Sequence, residues 1–171
     1  MKTWCRFPEW VRGWLTAEEG HKLAELAHGR RVIEAGSFAG RSTLCMAQTA
    51  SFLASIDPHD HGNGDTAAEL MVNLHGNNLA RRVAIVRARL TDVGGYWPAG
   101  WFDLGFHDAS HYHADMPAEI EALRGLVRPG GLIAFHDYGC VWPGVDWACG
   151  AAFPDQEPER VGDLAVFRLP G

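Results

Sequence analysis

The chain has 171 residues, 47% of them hydrophobic and 21% charged, with a formal net charge of −6. That size and composition suit one globular domain and exclude wholesale disorder and collagen-like repetition. The acid excess argues against nucleic acid as a partner, and no apolar run nears the ~20 residues of a membrane span or forms a signal-peptide core, so a soluble, cytoplasmic protein acting on a small molecule is expected.

Residues 1–30 read as an N-terminal arm and one helix, and residues 31–171 as the main domain. The arm carries Trp4, Trp10 and Trp14, an aromatic group suited to covering a ligand or to forming a homodimer. Thr16 and Glu19 form a capping box opening a helix that stops near Gly29. Strands are expected at residues 31–35, 52–57, 83–87, 101–107, 132–135 and 164–167. Helices are expected at 42–50, 66–79, 115–127 and 145–153. Short apolar strands alternating with amphipathic helices indicate a doubly wound, mostly parallel α/β sheet, a three-layer α/β/α sandwich, with ligands at the carboxyl ends of the strands. Four cysteines lack any paired spacing and read as reduced structural thiols.

The first strand ends in Glu34-Ala35-Gly36-Ser37-Phe38-Ala39-Gly40-Arg41-Ser42 and runs into a helix. Phe38 and Arg41 occupy places where a dinucleotide fingerprint needs glycine, and the spacing and Arg41 do not match a phosphate-binding loop. The pattern fits a looser turn for a ligand without pyrophosphate. Asp57 ends the second strand twenty-one residues after Gly36, near the ~20-residue spacing of a ribose-binding carboxylate. Turn and carboxylate together point to an adenosine-type ligand. Further on, Asp108 and His111 follow the fourth strand and His136-Asp137 ends the fifth. Neighbouring strands bring these groups to one mouth, where carboxylates and imidazoles suit a divalent ion, Mg²⁺ or a softer one.

This ordered set, E-x-G-x-x-x-G-x-S, Ile56-Asp57-Pro58-His59, Phe102 to His111, Leu126 to Gly131 and Phe135-His136-Asp137-Tyr138, resembles the class I S-adenosylmethionine-dependent methyltransferases. Its nearest likeness is to the small metal-dependent sugar and macrolide O-methyltransferases. The resemblance implies a Rossmann-like, seven-stranded sheet whose last strand is antiparallel. It implies a cofactor site of Glu34, Gly36, Ser37, Phe38, Gly40, Ser42, Asp57 and Asp108. It also implies a divalent metal on Asp108, His136 and Asp137, with His111 as general base beside Asp108. The chain departs from those relatives in carrying His136 in place of a carboxylate and Ala109 in place of glycine.

Full ionisation of an aliphatic hydroxyl at pH 7 costs roughly 12 kcal/mol. A positioned base supplies about 3–5 kcal/mol. A sulfonium leaving group lowers the requirement, so transfer to a hydroxyl of a sugar or natural-product scaffold is the expected function. Two other readings compete. A metal-dependent hydrolase or oxygenase would use His59, His61, His107, His111, His113 and His136 but leave the glycine turn idle; a cofactor-binding module without turnover would leave Asp108 and His111 idle. Trp142 and Trp147, after the fifth strand, are expected to shape the acceptor pocket.

Overall fold

Thr16 and Glu19 form the expected reciprocal cap at the start of α1 (Ala17–Ala27). The computed structural model describes residues 3–60, 62 and 64–171. After α1 the chain runs β1 (Arg31–Ala35), α2 (Arg41–Ala47), β2 (Phe52–Ile56), α3 (Thr66–Gly76), β3 (Val83–Val86), β4 (Phe102–His107), α4 (Met116–Leu126), β5 (Val127–Phe135), α5 (Pro143–Ala152), β6 (Glu159–Val161) and β7 (Leu164–Arg168). Among the described residues these strands form one seven-stranded sheet in the order β3-β2-β1-β4-β5-β7-β6. The first five strands in that order pair in parallel, and β7 runs antiparallel to both β5 and β6. This is the Rossmann-like methyltransferase architecture.

Side chains alternate between the two faces, as the period of a strand requires. Val32 and Leu53 pack with Leu23 and Leu26 of α1 and Met46 of α2, while Ile33, Ala54 and Ile56 pack with Ile120 and Leu123 of α4 and Val145 of α5. α1, α2 and α3 thus cover one face, α3 through Leu70 and Leu74 against Leu44 of α2, and α4 and α5 cover the other.

Two elements differ from the sequence pattern. β5 begins at Val127 instead of 132, because a register shift between Phe102 and Leu104 absorbs Pro129-Gly130-Gly131. β6 is absent from the sequence reading, being three residues long with two of them exposed, too short and polar for any hydrophobic period. No helix among the described residues is long and apolar enough to cross a membrane.

Candidate active site

Strand register builds the site. Ala35 pairs with Ile56 on one side and His107 on the other, and His107 pairs with Phe135. The next residues of four adjacent strands, Asp57, Gly36, Asp108 and His136, therefore stand in a row. The ladder runs one rung further through them: Gly36 N donates to Ile56 O (2.9 Å), Asp108 N to Ala35 O (2.8 Å) and His136 N to His107 O (3.0 Å). Strand order reverses between β1 and β4, the place where a doubly wound sheet opens a crevice. A cleft of about 1040 Å³ lies over it.

Gly36, Ser37, Phe38, Ser42, Asp57 and Asp108 line this cleft. Gly36 has φ +86°, and a Cβ there would strike the Asp108 carbonyl oxygen, so β1 and β4 can meet only at glycine. Asp57, 2% exposed, turns its carboxylate to the backbone. Oδ2 accepts from Ser37 N (2.9 Å) and Phe38 N (2.8 Å), and Oδ1 from His59 N (2.7 Å). It braces the turn first; of a carboxylate's four or so acceptor positions, about one remains for a ligand. The Ser37 hydroxyl is buried in the cleft wall without a hydrogen-bond partner among the described residues.

Glu34 and Gly40, both in the implied cofactor set, do not line the cleft. Glu34 points to the α2 face, where it accepts from Ser42 Oγ (2.5 Å) and Thr43 Oγ1 (2.6 Å). Burial pushes its carboxyl up to about 7, against those two hydroxyls. Gly40 is the N-cap of α2, closed off by Leu70.

The other half of the cleft holds the titratable groups. His111 Nε2 lies 3.0 Å from Asp137 Oδ2 and 3.7 Å from Asp108 Oδ1. His136 Nδ1 lies 3.6 Å from each of the same two oxygens. Asp137 takes a left-handed backbone conformation (φ +60°), a conformation Asp tolerates better than most residues. Burial alone would lower the His111 imidazole, but Asp108 and Asp137 outweigh it and hold it up to about 9. His136 behaves alike: burial opposes its charge, while Asp108, Asp137 and Glu19 hold it up to about 12. The nearby His111 and His136 imidazoles keep Asp137 far below the usual carboxylate range. Asp108 is also lowered, the same two imidazoles outweighing its burial.

A divalent ion fits part of this cluster. Ligand atoms of Asp108, His111 and Asp137 all lie within 4.8 Å of one another. His111 Nε2 is buried with no well-directed hydrogen bond despite its 3.0 Å approach to Asp137. Neighbouring ligands at right angles, each about 2.1 Å from an ion, are about 3.0 Å apart. The set gathered here has His111 where the resemblance implied His136, whose Nε2 meets Glu19 Oε2 at 3.4 Å.

The remaining histidines disperse. His107 Nε2 meets Glu119 Oε2 at 2.5 Å, His59 Nδ1 meets Thr66 Oγ1 at 2.8 Å, and His113 packs on Trp147. His61 lies outside the described residues. The broad histidine site of a hydrolase or oxygenase therefore does not form among the described residues; His111 and His136 alone join Asp108 and Asp137.

Aromatic rings border the cleft. Trp142, 41% exposed, stacks on His111 at 5.2 Å and 28°. At the opposite end, Trp14 leans on Phe38 (5.6 Å), and the Arg12 guanidinium sits 4.7 Å over the same ring while pairing bidentately with Glu69 of α3. Arg41 pins this arm by donating to Val11 O and Leu15 O. Trp4 packs on His28 and Trp10 beneath Arg6, and neither lines the cleft. Sequence reasoning missed Ala88, Arg89 and Leu90, which line the cleft beyond β3; following every strand to its carboxyl end would have found them. It also missed Glu19, whose cap signature hides its contact with His136.

Residues 33–138, more than half the chain, match the family model described as a methyltransferase domain. Among solved structures, cofactor-bound Rv0187 from MTB is 24% identical, over 92% of this chain and 82% of that one, with a TM-score of 0.72. The O-methyltransferase TomG from Streptomyces achromogenes, involved in tomaymycin synthesis and solved with SAM, is 21% identical over 92% and 82%, with a TM-score of 0.69. The 1,6-didemethyltoxoflavin-N1-methyltransferase of Burkholderia thailandensis, solved with its acceptor and S-adenosylhomocysteine, is 16% identical over 89% and 76%, with a TM-score of 0.63. At these identities the likeness speaks for the fold. No curated protein matches the chain significantly.

Proposed function

The chain belongs to the methyltransferase-domain family of class I S-adenosylmethionine-dependent enzymes, and from that premise we propose that it transfers the methyl group to a hydroxyl of a small molecule, with His111 as the general base. One observation carries this reading: a single cleft joins the glycine turn, with its unpartnered Ser37 hydroxyl, to the Asp108–His111–Asp137 cluster. The cofactor would lie along Gly36, Ser37, Phe38, Ser42 and Asp57, with Glu34 and Gly40 supporting the turn from behind.

S-adenosylmethionine supplies an electrophilic methyl on a sulfonium, so the acceptor oxygen needs only partial loss of its proton. His111 is protonated in the free protein at neutral pH. A positive charge brought beside it favours its neutral form, freeing Nε2 to take the hydroxyl proton. Asp108 and Asp137, which both face Nε2, stabilise the ring once that atom carries the proton. Trp142 holds the other face of His111 and offers a flat surface to the acceptor, a sugar ring or a natural-product scaffold.

The convergence of Asp108, His111 and Asp137 favours a second reading, in which a divalent ion on Asp108, Asp137 and one imidazole would supply a Lewis acid toward the acceptor oxygen. If His136 is the third ligand, His111 stays free as base; if His111 is the ligand, it cannot serve as base. Calorimetry with Mn²⁺ on the wild type, His111→Ala and His136→Ala separates these arrangements. Exposed Trp10 and Trp14 on the arm would form the contact of a homodimer, checked by sedimentation velocity.

The main test is calorimetry with S-adenosylhomocysteine, followed by transfer of labelled methyl to phenols and sugars. His111→Ala should keep cofactor binding and lose about 10²–10⁴ in turnover. Full turnover in that variant would sink the base assignment, and failure of the wild type to bind S-adenosylhomocysteine would sink the whole reading.

A further inference from the structure

In sequence, Glu19 is half of a capping box, a device usually found on the surface. Here its carboxylate is 2% exposed and gathers donors from three parts of the chain. Oε2 accepts from Thr16 N (2.8 Å), Thr16 Oγ1 (2.8 Å) and His136 Nε2 (3.4 Å), and Oε1 accepts from Asp163 N (2.9 Å). The turn between β6 and β7 makes room for it: Gly162 has φ +59°, and a Cβ there would lie 2.5 Å from Glu19 Oε1. Asp163 in turn accepts from Tyr138 N (2.9 Å). The segment His136-Asp137-Tyr138 is therefore held at both ends, by Glu19 and by the residue Glu19 holds.

We propose that Glu19 is a positioning residue for the reacting centre: it receives the Nε2–H of His136, so that Nδ1 alone is presented to Asp108 and Asp137. A charged imidazole donates from both nitrogens, and an ionised carboxylate can only accept. Glu19 Oε2 cannot swing away without abandoning two donors of its own helix cap. A glutamine at this position would offer either an oxygen or an amide nitrogen, and the ring would lose its fixed acceptor.

The inference rests on the methyl-transfer reading only in calling this centre reactive, and the test keeps the two apart. Imidazole ¹⁵N spectra are recorded at pH 7.5, with His136 assigned by the signals lost in His136→Gln. In the wild type, Nε2 should be protonated and its proton slow to exchange. Glu19→Gln should speed the exchange of that proton at least tenfold, while S-adenosylhomocysteine affinity measured on the same samples stays within about twofold. Thr16→Ala, which trims the same cap but leaves the carboxylate on His136, should lower the melting temperature and leave the His136 spectrum unchanged. An unprotonated Nε2 in the wild type overturns the proposal even if Glu19→Gln does not fold, and so does a Glu19→Gln spectrum identical to the wild type. Absent S-adenosylhomocysteine binding in the wild type would instead count against methyl transfer and leave the Glu19 assignment standing.

Discussion

His111 Nε2 stands 3.0 Å from Asp137 Oδ2 and 3.7 Å from Asp108 Oδ1, and Asp108 and Asp137 together set the charge of the imidazole before any ligand arrives. Its folded-state pKa, held up to about 9 against the pull of burial, exceeds its unfolded value of about 6.5. The stabilisation it brings is complete below the unfolded value and is lost as pH rises through about 9. A proton NMR titration of the free protein should place the His111 midpoint near 9, and Asp137→Asn should move it down by at least one unit. A wild-type midpoint near 6.5 would show that the carboxylates do not hold this proton. For catalysis, the free-enzyme rate should climb with pH toward the same midpoint.

Asp57 and Ser37 separate bracing from binding. Asp57→Ala orphans three N–H donors, two of them in buried hydrogen bonds and one in a half-buried one, and should cost roughly 2–4 kcal/mol of stability, as well as cofactor affinity. Ser37 Oγ has no hydrogen-bond partner among the described residues, so Ser37→Ala should leave the melting temperature nearly unchanged. If that hydroxyl meets the cofactor, S-adenosylhomocysteine should bind about tenfold more weakly, the value of one hydrogen bond. Unchanged affinity in Ser37→Ala would remove Ser37 from the binding set.

Gly36→Ala tests the close approach of β1 and β4. The left-handed backbone costs an L-residue roughly 1–2 kcal/mol, and a collision with a backbone carbonyl, unlike one with a flexible side chain, cannot be relieved by a rotamer change. Thermal unfolding should show a loss of at least about 3 kcal/mol. A wild-type melting temperature would mean that the Asp108 carbonyl moves aside freely.

What the sequence made legible was local or periodic. The apolar strands and their alternation with helices identified the doubly wound sheet, and the row Gly36, Asp57, Asp108 and His136 follows from strand ends alone. Glu34 sits inside the glycine motif, yet its place on β1 turns it toward α2, because successive strand residues face opposite ways. Motif membership does not say which face a residue serves. Glu19 was beyond reach for a different reason: a capping box is satisfied within four residues, while its meeting with His136 spans 117 positions. The stack of Trp142 on His111 depends likewise on how the start of α5 folds back over the site, which no periodicity encodes.

Glu34 also yields a pH dependence opposite to that of a paired surface carboxylate. Burial raises it from 4.5 to about 7, so between those values the folded protein binds the proton more tightly than the unfolded chain. Stability from this group is therefore full at pH 4.5 and lost as pH rises through about 7, by up to about 3 kcal/mol at 1.36 kcal/mol per unit. Glu34→Gln cannot ionise, but it also changes the bonds to Ser42 and Thr43, so its stability at one pH is ambiguous. The difference between variant and wild type, measured by urea unfolding at pH 5 and again at pH 8, cancels both those bonds and the other titrating groups. Relative to the wild type, the glutamine variant should gain stability between pH 5 and pH 8. An equal difference at the two pH values would mean that Glu34 ionises in the folded protein as readily as in the unfolded chain, with Ser42 and Thr43 fully offsetting its burial.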